Sequence, residues 1–83
     1  MVKRMENEVK WKDYMICRWV VAIVDDTIIG EFDSMAEAKK SMKGTPCRFR
    51  YAAAEEINQD GDVNPAVYGD TLKEVMDKIK KVL

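Results

Sequence analysis

The sequence predicts an α+β fold: a two-layer β-β-α-β-α arrangement whose antiparallel sheet of three strands, or four with one short extra strand, carries two helices packed on one face. Three observations predict it. The stretches Val9 to Val24 and Cys47 to Ala54 alternate with period two. The stretches after Ser34 and Thr71 repeat their apolar residues with a period near 3.6, and each opens on a capping box. With 83 residues the chain supports one core, so a single small domain over 1–83 is expected.

Strand one is expected to place Met15, Cys17, Trp19, Val21 and Ile23 toward the core. Its other side, Tyr14, Ile16, Arg18, Val20, Ala22 and Val24, is nearly as apolar, which suits a covered central strand. The pattern leaves open whether residues 9–13 extend this strand, form a separate one or stay loose along with the rest of 1–12. Asp25 and Asp26 mark a tight turn into an antiparallel second strand, with Ile28 and Phe32 facing inward. Ser34-Met35-Ala36-Glu37 then caps a helix of about ten residues with an apolar stripe of Met35, Ala38 and Met42, and Gly44 supplies its left-handed stop.

Pro46 releases a third strand in which Cys47, Phe49, Tyr51 and Ala53 face the core and Arg48, Arg50, Ala52 and Ala54 face away. Asn58 to Pro65 is turn chemistry, and the segment up to Gly69 is either an irregular loop or holds a short edge strand around 66–68. Thr71-Leu72-Lys73-Glu74 caps a closing helix with apolar positions Leu72, Val75, Met76, Ile79, Val82 and Leu83. The core list that follows is Trp19, Val21, Ile23, Phe32, Met42, Phe49, Val75 and Ile79.

Composition narrows the function classes. Fourteen basic against 15 acidic residues give a net charge of -1, so no global basic field marks a non-specific nucleic-acid binder. There is no histidine, which removes the commonest general base, the commonest metal ligand and every Ser-His or Cys-His nucleophile pair. No catalytic residue is assigned and an enzyme is not expected. Cys17 and Cys47 form neither a C-x-x-C pair nor a multi-cysteine framework; they read as core residues, with a disulfide or a reactive thiol as alternatives. No metal and no cofactor is expected. Asp60, Asp62 and Asn64 imitate a calcium loop, but Pro65 and Thr71 stand where its glycine and glutamate belong. The charged residues 3–13 do not form a signal peptide, and the longest apolar run, Trp19 to Val24, is far below the roughly 20 residues a membrane span needs. A reducing cytoplasm is the expected setting.

Two surfaces are candidates for a partner. Arg18, Arg48 and Arg50 are expected on one sheet face with Tyr14, where guanidinium groups could clamp carboxylates or phosphates and the ring could stack on a flat group. The alternative is acidic: Glu55, Glu56, Asp60, Asp62 and Asp70, able to stand in for phosphates in a basic groove.

The run Gly30-Glu31-Phe32-Asp33-Ser34-Met35-Ala36-Glu37-Ala38, followed by Met42-Lys43-Gly44 and Pro46-Cys47-Arg48-Phe49-Arg50, resembles the viroplasmin-like hybrid-binding domain at the amino terminus of eukaryotic ribonuclease H. The resemblance spans residues 28–50 and implies a strand-helix-strand architecture that contacts RNA/DNA hybrids or double-stranded RNA. Arg50 matches a basic position of that family, whereas Met35 replaces its helix-start tryptophan and Tyr51 falls where a second lysine is expected.

The leading expectation is a non-catalytic module that binds a protein or nucleoprotein, in the style of the small inhibitors and adaptors phages encode, anti-CRISPR proteins among them in size alone. A nucleic-acid-binding module is the alternative. An exposed strand edge would allow a homodimer as well as a monomer, and no membrane partner is expected.

Overall fold

The computed structural model describes residues 8–58 and 62–83. In chain order the elements are β1 (Glu8–Trp11), β2 (Tyr14–Val24), β3 (Thr27–Phe32), α1 (Met35–Ser41), β4 (Arg48–Glu55), β5 (Val67–Gly69) and α2 (Leu72–Val82). The sheet has five antiparallel strands rather than three or four, because the stretch left open before Asp13 forms β1 and the stretch before Asp70 forms β5.

β2 is the axis of the sheet. Its 11 residues are long enough for β1 and β3 to share one edge end to end, β1 opposite Tyr14 to Cys17 and β3 opposite Val20 to Val24. β4 pairs with the other edge from Ile16 to Ile23, and β5 pairs with the outer side of β4. The turn between β2 and β3 is two residues long, with Asp25 at φ 51° and Asp26 at φ 63°. Two successive left-handed residues make the primed turn whose twist matches the flanking strands, and aspartate tolerates that region better than most residues. Ala22 pairs with Gly30 but Ile23 with Ile28, so Ile29 is the extra residue of a bulge. The bulge sends Ile28 and Phe32, expected on one side, to opposite faces.

Both helices begin where the capping boxes place them. The Ser34 hydroxyl accepts from the Glu37 amide at 3.1 Å, and the Thr71 hydroxyl from the Glu74 amide at 3.0 Å. α1 is shorter than expected: Met42 is already its C-cap, and Gly44 at φ 86° turns the chain toward β4. Gly69 has a different role: a Cβ there would lie about 3.0 Å from the Glu74 side chain that stands over it, so the glycine lets that side chain pack close.

The two helices share one face of the sheet. α2 sets Val75 and Ile79 on Ile16 and Ala53, with Trp11, Tyr14, Tyr51, Val67, Met76 and Leu83 around them. α1 buries Ala38 and brings Met42 toward Gly30 and Phe32. Ile16, Val20, Val21 and Val75 are the largest side chains fully removed from solvent, each worth about 1.5–3 kcal/mol of hydrophobic transfer.

This face is not the one expected of β2. Arg18 lies opposite Ala53, Val20 opposite Tyr51 and Ala22 opposite Phe49, so the even-numbered residues of β2 and the odd-numbered residues of β4 lie under the helices. The odd-numbered residues of β2 form a second cluster on the other face: Cys17, Trp19 and Val21 with Ala52 and Ala54, packed by Ile23, Tyr68 and by Val63 and Ala66 of the β4–β5 connection. Both sides of β2 are apolar, so alternation alone could not tell which side receives the helices; a one-residue change of register reverses the choice. Of the expected core, Trp19, Val21, Val75 and Ile79 are buried, but they divide between the two faces. Ile23, Phe32, Met42 and Phe49 are half-buried.

Candidate functional site

A concavity of about 170 Å³ lies between the starts of the two helices, lined by Arg18, Trp19, Val20, Asp33, Ser34, Met35, Tyr51 and Leu72. Its construction follows from the chain order. β3 leads into α1 through Asp33 and Ser34 and β5 leads into α2 through Asp70 and Thr71; the two strands run in opposite directions and both finish at the level of Val20, so both helices start over the middle of β2. The gap between those starts exposes the middle of β2, where Arg18 stands two residues from the fully buried Val20. This gap is also the reason the helical face can be a core despite a charge in its central strand. Met35 and Leu72, the first residues of α1 and α2, form an apolar rim, and Leu72 is 41% exposed.

The four residues expected to form one basic surface are not brought together. Arg48 and Arg50 lie opposite Ile23 and Val21, on the face away from the helices, whereas Arg18 and Tyr14 lie on the helical face. The physical reason is the register: the expected arrangement required Cys17 and Trp19 to share a side with Phe49 and Tyr51, and the pairing of Trp19 with Ala52 puts them on opposite sides. Tyr14 is separated from Arg18 by Ile16 and stacks on Trp11, ring centroids 6.1 Å apart and planes 20° apart. Lys12 caps the outer side of Trp11 with its ammonium 4.5 Å from the ring centroid. Arg48 and Arg50 converge on Asp70, at 3.2 Å and 3.4 Å from its Oδ1. The Arg50 contact is an ion pair too poorly aligned for a hydrogen bond, and the Arg48 pair is well exposed, so each contributes under about 1 kcal/mol.

The acidic candidates are dispersed as well. Glu55 accepts a hydrogen bond from the Asn64 side chain, Asp62 accepts from the Asn58 side chain at 2.8 Å, and Asp70 is taken up by the two arginines. Glu56 accepts from the Cys17 thiol at 3.7 Å. Asp60 lies outside the described residues. Both cysteines carry thiols; Cys17 is buried and Cys47 half-buried.

The start of α2 holds the described groups whose titration is displaced. The backbone N–H of Asp70 donates to the Glu74 carboxylate at 2.9 Å, and that bond, then the Lys78 ammonium, lowers the Glu74 pKa. Lys73 and Asp77, 2.9 Å apart, move each other's pKa in opposite directions, Lys73 up and Asp77 down. These groups are exposed and stabilise the helix start; none lines the concavity.

The outer edge of β3 presents Ile28 and Ile29 to solvent, but the bulge at Ile29 breaks the regular row of backbone groups that a second strand would need. No described helix is long and apolar enough to cross a membrane.

Sequence reasoning passed over Asp33, Met35, Tyr51 and Leu72 as site residues. The two capping boxes mark where the helices start, but that these starts meet over β2 follows only from the register that ends β3 and β5 at the level of Val20. No family model, no curated protein and no solved structure matches this chain.

Proposed function

We propose that the protein is a non-catalytic module that binds a protein partner, and that the concavity between the two helix starts receives one apolar side chain of that partner. The observation that carries this reading is the size and lining of the concavity. At about 170 Å³ it falls below the roughly 300–1,000 Å³ of small-molecule and cofactor sites, yet a cavity of about 150 Å³ holds a benzene ring. Val20, Met35, Tyr51 and Leu72 offer apolar contact, and Arg18 and Asp33 supply polar groups that fix orientation. An anchor side chain seated in a desolvated pocket is the arrangement that carries most binding energy in protein interfaces. The dispersal of Arg18 from Arg48 and Arg50, and the occupation of the latter two by Asp70, leave these three arginines forming no continuous basic track for a phosphate backbone among the described residues.

The test compares two variants in capture from the native host followed by direct binding to the captured partner. Leu72→Glu places a charge on the rim, where an acidic residue in the first turn suits the helix dipole and leaves the fold intact. It should weaken binding at least tenfold, while Arg48→Glu/Arg50→Glu on the opposite face should change it less than threefold. The reverse pattern, with a log-log salt slope near -2 to -3, would overturn the reading in favour of a nucleic-acid module.

A further inference from the structure

The face of the sheet away from the helices carries two carboxylates gathered around one core thiol, and the concavity uses none of the three. Glu8 on β1 pairs directly with Cys17 on β2. Glu56 follows the end of β4; its amide donates to the Met15 carbonyl at 2.8 Å, continuing the β2–β4 register, and a bridge to Val63 holds it from the other side. Register therefore sets a carboxylate on each side of one thiol, on one face. One potential ligand atom from each of Glu8, Cys17 and Glu56 lies within 4.8 Å of the other two. A separate observation points the same way: Glu8 Oε1 is buried and has no hydrogen-bond partner among the described residues. A carboxylate oxygen taken out of water without a donor is unfavourable, and a second carboxylate nearby adds repulsion. A cation among the three groups answers both.

We propose that Glu8, Cys17 and Glu56 form a three-ligand site for a divalent metal ion of the zinc class, with Cys17 bound as thiolate, one oxygen from each glutamate and a water in the fourth position. The spacing suits it. A tetrahedral ion with sulfur at about 2.3 Å and oxygen at about 2.0–2.2 Å holds those two ligands about 3.6 Å apart, and Cys17 Sγ lies 3.7 Å from Glu56 Oε2. Thiolate ligation selects zinc-class ions over calcium and magnesium, which take oxygen alone. On binding, the thiol proton leaves to solvent and the sulfur lone pair forms the metal bond. The ion would tie β1 to the end of β4, two segments that meet only through β2. Because this site and the concavity lie on opposite faces, either can fail without the other.

The test uses the reduced full chain titrated with Co²⁺, followed by competition with Zn²⁺. Wild type should develop a thiolate-to-cobalt charge-transfer band that saturates at one equivalent and is abolished by Zn²⁺. Cys17→Ser should lose the band and Cys47→Ser should keep it. Glu8→Gln and Glu56→Gln should each weaken binding by no less than the roughly 10–100-fold seen when a group that merely orients a ligand is removed. If Cys17→Ser does not fold, Glu8→Gln carries the test, since Glu8 is half-exposed and the change preserves its shape. No band in wild type, a band retained by folded Cys17→Ser, a band lost from Cys47→Ser, or unchanged affinity in Glu8→Gln would each overturn the proposal.

Discussion

The two faces of the sheet are buried by different means. Under the helices, Ile16, Ala53, Val75 and Ile79 meet between regular elements whose ends are capped and whose apolar stripe repeats every turn. On the other face Cys17, Trp19, Val21, Ala52 and Ala54 are covered in part by Val63 and Ala66, from an irregular connection between β4 and β5. One cover is a rigid layer and the other a strap. Val21 is as fully removed from water as Ile16 under the helices, whereas Trp19 beneath the strap keeps 7% of its surface exposed. The same difference suits the two faces to different tasks. The helical layer builds a concavity between fixed helix starts, while the strapped face brings backbone-held side chains from three segments around one thiol.

The largest expected effects test whether the strapped face is a true core. Trp19→Ala should cost about 3–5 kcal/mol and Ile79→Ala about 2–5 kcal/mol, because each leaves a cavity in a buried cluster. Denaturant melts of both variants check this. A Trp19→Ala loss below 1 kcal/mol would show that the strap is a veneer and that the helical face alone holds the fold.

A smaller effect separates rigid from yielding cover. Ala52, Ala53 and Ala54 are all fully buried, and alternate residues of this run face opposite layers. Ala53→Leu pushes against Val75 and Ile79 and should cost about 1–3 kcal/mol, the usual range for overpacking a filled core. Ala54→Leu pushes toward the strap and should cost measurably less. Equal losses would mean that both covers resist alike.

The same contrast explains what could be read from the sequence. Both helices, their caps and the alternation of β2 and β4 were legible, because capping boxes and 3.6- or two-residue periods are local signals. Register was not. With apolar residues on both sides of β2, nothing local distinguishes the side that carries Arg18 from the side that carries Trp19, and a single step in pairing moved Arg48 and Arg50 away from Arg18. The bulge at Ile29 is equally invisible, being one residue inserted into an otherwise regular pattern. The helix starts were within reach, but not the concavity between them, which depends on the register that ends the oppositely directed β3 and β5 at one level of β2. The grouping of residues 8, 17 and 56 was not, because it exists only once β1 and β4 flank β2.

A turn at the end of β2 offers a control belonging to neither cover. Asp25 and Asp26 both occupy left-handed conformations, which cost an L-residue roughly 1–2 kcal/mol and glycine none. Replacing the pair by Asn-Gly should raise stability by a few tenths to about 1 kcal/mol after the greater chain entropy of glycine is counted. Thermal melts check this, and a loss of stability would show that the aspartates make contacts worth more than their strain.

The smallest expected effect belongs to the start of α2 and reads out as pH dependence. Glu74 has its pKa lowered below the ordinary value of 4.5 first by the Asp70 backbone N–H and then by Lys78. A carboxyl whose folded pKa is depressed contributes stability that is fully present above its unfolded pKa and is lost as pH falls through the folded value. Wild type should therefore exceed Glu74→Gln in stability near pH 7, and the gap should close on acidification below about pH 4.5. Added salt should narrow the part of the gap owed to Lys78, because exposed charges are screened, while the part owed to the Asp70 amide should persist. No gap at pH 7 would mean that Glu74 acts through its packing over Gly69, which the glutamine preserves, rather than through its ionised form.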